Sequence, residues 1–348
     1  MRDYSLAALL AVPAVFAAAD VRADTELEKL EDRVKQYAHS HYEETQKAGK
    51  SVRDYATIKT DIEKMLSDSG VTVERDGTDY LIDGEKILSV SLNNETGIID
   101  FHLGRLIVRE LKDVEIEGTV FRVKEYVIGN ADVSSYQRFV NGQGYFATTN
   151  VKDGKIYIFM EEIKPQIDNA WDIVQGKWDS RITNAPEHRS YRLFVDLVKR
   201  EYGHLKDLPE KEFKDTVTAI ELKAKRIHEA GHIFFQTVMP LDNPQLEEAL
   251  CDTVAIARGA GSPIDMACGA FSDPTSFDYD ASSVFFDKVF GELQKYQTGL
   301  GDLAIPSDPK DRAELLPKIS KLELQAVTQE IIRKHKKDIK RAIHFKIK

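Results

Sequence analysis

Residues 226–235 read Arg-Ile-His-Glu-Ala-Gly-His-Ile-Phe-Phe, with two histidines four apart and a glutamate directly after the first. On a helix, side chains at this spacing lie one above the other, about 5–6 Å apart at Cβ. That separation lets the rings of His228 and His232 reach one tetrahedral metal ion at about 2.0–2.1 Å. Glu229, next to the first histidine, is then within reach of a water at the ion and can serve as general base. A catalytic zinc site takes three protein ligands, so the pair requires a further donor elsewhere in the chain.

That donor is expected on the segment that follows Pro240. Asn243 is a plausible helix N-cap, Pro244 suits the first helical position and Gly259 supplies a stop. Between them Leu246, Ala249, Leu250 and Val254–Ala257 are apolar on nearly every side, which predicts a buried helix. Glu248 and Asp252 share one face of it. Buried carboxylates are costly unless paired or metal-bound. An ion and a ligand histidine would satisfy both. The alternative is two acids on a half-exposed helix, facing solvent or paired with Lys or Arg.

His228-Glu229-Ala230-Gly231-His232 followed by Glu248-Ala249-Leu250-Cys251-Asp252 resembles the gluzincins, the thermolysin-like zinc metallopeptidases, which carry HExxH on one helix and ExxxD on the next. The resemblance covers these two segments only. It implies zinc as cofactor, His228, His232 and Glu248 as metal ligands, Glu229 as base and Asp252 as the group that orients His228. The ExxxD spacing selects Glu248 over Glu247. A metzincin is excluded, because Phe235 and Val238 stand where that family has a glycine and a third histidine. In gluzincins a strand edge near the active helix binds substrate backbone, and Lys-Ile-Tyr-Ile-Phe-Met-Glu from Lys155 is the candidate here. Their transition-state donor, a Tyr or His from a later segment, has no firm counterpart; Tyr279 is one candidate among several.

The elements that must hold these residues follow from periodicity. Phe213, Val217, Ile220, Ala224, Ile227, Gly231, Phe235 and Val238 recur every three or four residues, which predicts an amphipathic helix over 213–239 that ends before Pro240. The two histidines fall at the edge of its apolar stripe. Upstream, residues 25–50 and 52–69 have helical patterns, the second closed by Gly70. Residues 71–128 read as an antiparallel β-meander of short β-branched and aromatic runs separated by Asp-Gly and Asn-rich turns. Residues 129–150 are turn-rich, 155–163 look like one more strand, and the remainder is mostly helical. The fold class expected is α+β: N-terminal helices and a β-meander, then a mostly helical zincin-like metallopeptidase domain. The expected division is residues 1–23 as signal peptide, 24–150 as an N-terminal α+β domain with a pro-region, inhibitory or binding role, and 151–348 as the metallopeptidase-like domain.

The signal peptide rests on Ser5–Ala19, a short apolar run followed by small residues that leave cleavage sites near Asp20 or Asp24. Arg2 is offset by Asp3, and an N-terminal helix packed on the protein is the competing reading. A signal implies a secreted or periplasmic protein. In that setting Cys251 and Cys268, the two cysteines of the chain, could be joined or could remain as two free thiols. With 58 acidic against 48 basic side chains the formal charge is −10, which argues against nucleic acid or an anionic membrane surface as the main partner. No run reaches the roughly 18 consecutive apolar residues of a transmembrane helix. The basic stretch after Ile331 reads as a solvated helix or tail. The function expected is therefore a zinc-dependent hydrolase acting on peptide or protein substrates. The alternative is a non-catalytic binding protein with a structural or vestigial zinc site.

Overall fold

Leu27, Leu30, Val34 and Ala38 recur at helical spacing, as do Ile58, Ile62 and Leu66, and all seven are buried against one another in a common core. They belong to α1 (Val21–Ala48) and α2 (Tyr55–Ser69) in a computed structural model that describes residues 21–48, 51–92, 99–134, 147–178, 188–296 and 306–346. The Asp54 carboxylate caps α2, accepting from the Thr57 amide at 2.7 Å, a contact of the kind that contributes about 1 kcal/mol. Gly70 closes the helix at φ 74°, a left-handed conformation that disfavours any side chain. The expected signal segment lies outside the described residues as far as residue 20, and residues 21–23 form the first turn of α1.

The chain divides into two compact units, the first reaching Leu103 and taking in Asp132 onward from β5, the second holding Gly104–Ala131 and the described residues from Ala147 on. In the first unit β1 (Val73–Asp76), β2 (Asp79–Ile82) and β3 (Lys86–Leu92) pair antiparallel, with Val73 opposite Ile82 and Tyr80 opposite Leu88. Tyr80, Ile82, Leu88 and Val90 from these strands close the core over α1 and α2. This part of the meander has the expected form.

β4 (Ile99–Ile116) and β5 (Thr119–Ser134) are longer than the short runs expected, and they continue from one unit into the other. They meet at Glu117 and Gly118, both at positive φ (51° and 80°), the conformation of a tight hairpin turn. In the second unit the strand order is β4-β5-β7-β6, with β6 spanning Ala147–Asn150 and β7 Lys155–Phe159. β7 runs parallel to β5, Tyr126 opposite Tyr157, so the sheet is not antiparallel throughout. On its other side β7 pairs antiparallel with β6. Lys155–Phe159 is therefore an interior strand, buried at every position, and not the expected free edge. Among the described residues the edge belongs to β6.

The strand expected over 155–163 also ends early, at Phe159. Met160–Val174 is helix α3, which buries Ile163, Ile167 and Ala170 on one face. Glu161 and Glu162 in its first turn favour the positive end of a helix. The remaining helices are α4 (Arg189–Tyr202), α5 (Glu210–Thr237), α6 (Pro244–Ala257), α7 (Ile264–Gly269), α8 (Phe277–Leu293), α9 (Pro309–Ala313) and α10 (Lys321–Lys346). α6 packs against α5, α8 and α10, the surroundings its apolar sequence demands. α10 carries the basic C-terminal stretch and buries Leu324, Val327, Ile331 and Ile332. The molecule is a mixed α and β protein, consistent with the α+β class. Among the described residues no helix is long and apolar enough to cross a membrane.

Candidate metal centre

α5 is fixed before the motif begins. Arg226 forms a two-pronged ion pair with Glu125 of β5, a carboxylate buried to 2% exposure. One turn later His228 and His232 stand on one face of α5 with ring centroids 5.1 Å apart. Between them, Gly231 lets α6 approach closely. A Cβ at this position would stand 3.0 Å from Cys251 Sγ and 3.2 Å from its Cα. α6 itself begins as the sequence requires, with the Asn243 side chain accepting from the Leu246 amide at 2.7 Å and Pro244 in the first turn.

This approach brings Glu248 between the two imidazoles. His228 Nε2 lies 3.3 Å from Glu248 Oε1, and His232 Nε2 lies 3.4 Å from Glu248 Oε2. Tetrahedral ligands at about 2.0–2.1 Å from one ion are separated by about 3.4 Å, so both spacings match the edges of such a site. His228, His232 and Glu248 form a group able to hold a metal ion, with one donor atom from each lying within 4.8 Å of the others. The outer nitrogens are engaged as well. His228 Nδ1 meets Asp252 Oδ1 at 2.8 Å, and His232 Nδ1 meets Glu247 Oε1 at 2.7 Å. A second bond to the outer nitrogen fixes ring orientation and makes the inner nitrogen a better donor.

The electrostatics follow from these contacts. Burial opposes the charged form of His228, but Asp252 and Glu248 outweigh it and raise the pKa well above the imidazole range. For His232 burial again opposes the charge, and contacts with Cys251, Glu247 and Glu248 raise its pKa. Burial would push Glu248 up, yet His228 and His232 draw it well below the carboxylate range. For Asp252 burial dominates and raises the pKa against the pull of His228.

Glu229 turns to the sheet. Its buried side chain accepts from Thr149 Oγ1 at 2.5 Å, through Oε2, and the same hydroxyl lies 3.2 Å from the Glu229 carbonyl. Thr149 belongs to β6, so the edge strand of this sheet touches the residue expected to act as base.

Of the residues singled out in the sequence, His228, His232, Glu248 and Asp252 come together on α5 and α6, with Glu229 on the neighbouring face. Tyr279 lies in the first turn of α8, its backbone amide donating to the Ser276 hydroxyl at 3.2 Å. Cys251 and Cys268 are free thiols, the first buried and the second exposed. Three participants were not foreseen: Glu247 at His232, Gln236, whose side-chain amide donates to the same Glu247 oxygen at 2.8 Å, and Thr149. Gln236 was within reach of a local rule, since it follows His232 by one helical turn. No protein-family model, curated protein or solved structure matches this chain.

Proposed function

We propose that this chain is a zinc-dependent hydrolase that cleaves peptide bonds, a gluzincin-like metallopeptidase with a zincin-like second unit, exported through the segment before Asp24. The observation that carries the reading is the convergence of His228 Nε2 and His232 Nε2 on the two oxygens of Glu248. Two nitrogens and a carboxylate at tetrahedral spacing suit zinc among the common ions. When bound, zinc supplies a Lewis acid that polarises the scissile carbonyl and lowers the pKa of water. The chain's own residues do the rest. Asp252 and Glu247 hold the imidazole planes through Nδ1. Glu229 takes a proton from the attacking water and returns it to the leaving amine. Thr149 holds the Glu229 carboxylate through a charge-assisted hydrogen bond. Its strand β6 pairs on one side only among the described residues, and the other side offers an edge on which an extended peptide adds as a further strand.

The test is zinc analysis of the purified chain together with cleavage of a diverse peptide library, wild type against Glu229→Gln. Both proteins should contain about one zinc per chain, the expectation for one three-ligand site, and only wild type should cleave. Equal cleavage by the variant, or no zinc in either protein, would remove the reading.

A further inference from the structure

Behind His228 a cavity of roughly 600 Å³, its open mouth included, lies among α3, α4, α5, α6 and α7. Its walls are aliphatic and aromatic, formed by Ile167, Phe194, Val198, Val217 and Ile264. Beside the neutral Gln166 and Ser262, its polar groups are ionisable. Glu221 and Lys225 stand one turn apart on α5, and Asp265 comes from α7. The Tyr202 hydroxyl donates to Glu221, and Lys225 Nζ contacts Asp265 Oδ2 at 2.6 Å. Burial opposes the Lys225 ammonium, but Asp265 and Glu221 hold its pKa above the ordinary range.

Asp252 also lines the cavity, and this is the independent sign of a missing guest. It is only 8% exposed; its Oδ1 meets His228, while its Oδ2 is buried with no hydrogen-bond partner among the described residues. A buried carboxylate oxygen left without a donor is costly. Even with Asp252 assigned to His228, the two carboxylates Glu221 and Asp265 outnumber the one ammonium of Lys225. Lys225 is already committed to those acids, so an anionic guest would find no unshared cation. A long aliphatic stem ending in a positive charge fits both the walls and the polar end.

We infer that this cavity receives a lysine or arginine side chain. Resting on the peptidase reading, a cavity with His228 in its lining makes the enzyme selective for substrates with a basic residue near the cut.

The experiment measures binding of N-acetyl-arginine amide, N-acetyl-lysine amide, N-acetyl-norleucine amide and N-acetyl-glutamate amide to the full chain by ligand-observed NMR. The two basic amides should bind about 10-fold tighter than norleucine amide, the scale of one charge-assisted contact, and glutamate amide should bind weakest. Asp265→Asn and Glu221→Gln should each cut the advantage to about 3-fold or less while leaving norleucine binding unchanged, which controls for folding. Norleucine binding as tight as arginine, tighter binding of glutamate, an advantage untouched by both substitutions, or no binding of any amide would overturn the assignment. A randomised peptide library separates the two readings. Cleavage with no enrichment of Lys or Arg beside the cut defeats the cavity assignment and spares the peptidase. Selective binding of the basic amides with no peptide cleaved spares the cavity assignment and defeats the peptidase.

Discussion

His228 and His232 stand one turn apart on α5 and turn the same nitrogen toward Glu248, yet their outer nitrogens are held differently. At the His232 end, Glu247 Oε1 accepts from both the imidazole and the Gln236 amide. At the His228 end, Asp252 gives one oxygen to the imidazole and leaves the other without a partner at the cavity wall. The first arrangement is closed on itself. The second leaves one carboxylate oxygen free of hydrogen bonds among the described residues. One end of the site therefore sets geometry, while the other can sense what occupies the neighbouring space, since any donor that reaches Asp252 changes the group that orients His228.

The largest effect should come from the residue common to both ends. Glu248→Gln removes the shared carboxylate and should weaken zinc binding by more than about 100-fold, beyond the roughly 10–100-fold typical of losing an outer partner. A chelator competition titration reads this directly. Glu229→Gln should lower turnover by about 10²–10⁴-fold, the usual contribution of a general base. Its zinc affinity should stay within about 2-fold of wild type, since the base is not a ligand.

The comparison itself is tested by the paired variants Asp252→Asn and Glu247→Gln. Both should weaken zinc within the roughly 10–100-fold range. Asp252→Asn should lie toward the upper end, because His228 has no other anchor among the described contacts. Glu247→Gln should lie toward the lower end, because Gln236 remains one turn away to share the position. Equal losses would mean that the second contact to Glu247 adds nothing. The smallest effect is expected for Gln236→Leu, about 2–10-fold in zinc affinity, the equivalent of one neutral hydrogen bond. If Gln236→Leu matched Glu247→Gln, the amide and not the carboxylate would be the anchor of His232.

The histidine pair and the Glu248–Asp252 face could be read from sequence because each is set by local rules. A four-residue spacing on a helix with no internal proline puts two side chains on one face, and an Asn-Pro start with a Gly stop bounds the second helix. Which face of α6 meets α5 is a tertiary fact, and Glu247 and Glu248 are neighbours in sequence. Spacing alone could select Glu248 as a ligand, but not reveal that Glu247 also points at α5. Thr149 was hidden for another reason: it lies on a four-residue strand within a stretch whose composition reads as turn, 80 residues from its partner. The early end of β7 escaped because Ile156–Met160 is apolar without a break, and a helical period becomes visible only with Ile163 and Ile167. The length of β4 escaped because positions such as Arg105, Arg109 and Glu110 are exposed and charged, a pattern that sequence alone does not separate from loop.

The contact of Gly231 with Cys251 has a consequence for how this region comes apart. Helices this close cannot separate by degrees, since the first opening already breaks the packing of the buried Ala230, Ala249 and Leu250. Backbone amides on α5 around His232 and on α6 around Cys251 should therefore exchange with solvent only when the second unit unfolds as a whole. β6 is different: it has four residues, all partly exposed, and among the described residues one paired side. Its amides should exchange through local opening at far lower protection. The carboxylate of Glu229 is thus gripped by the element that breathes, while the imidazoles beside it ride on helices that stay shut.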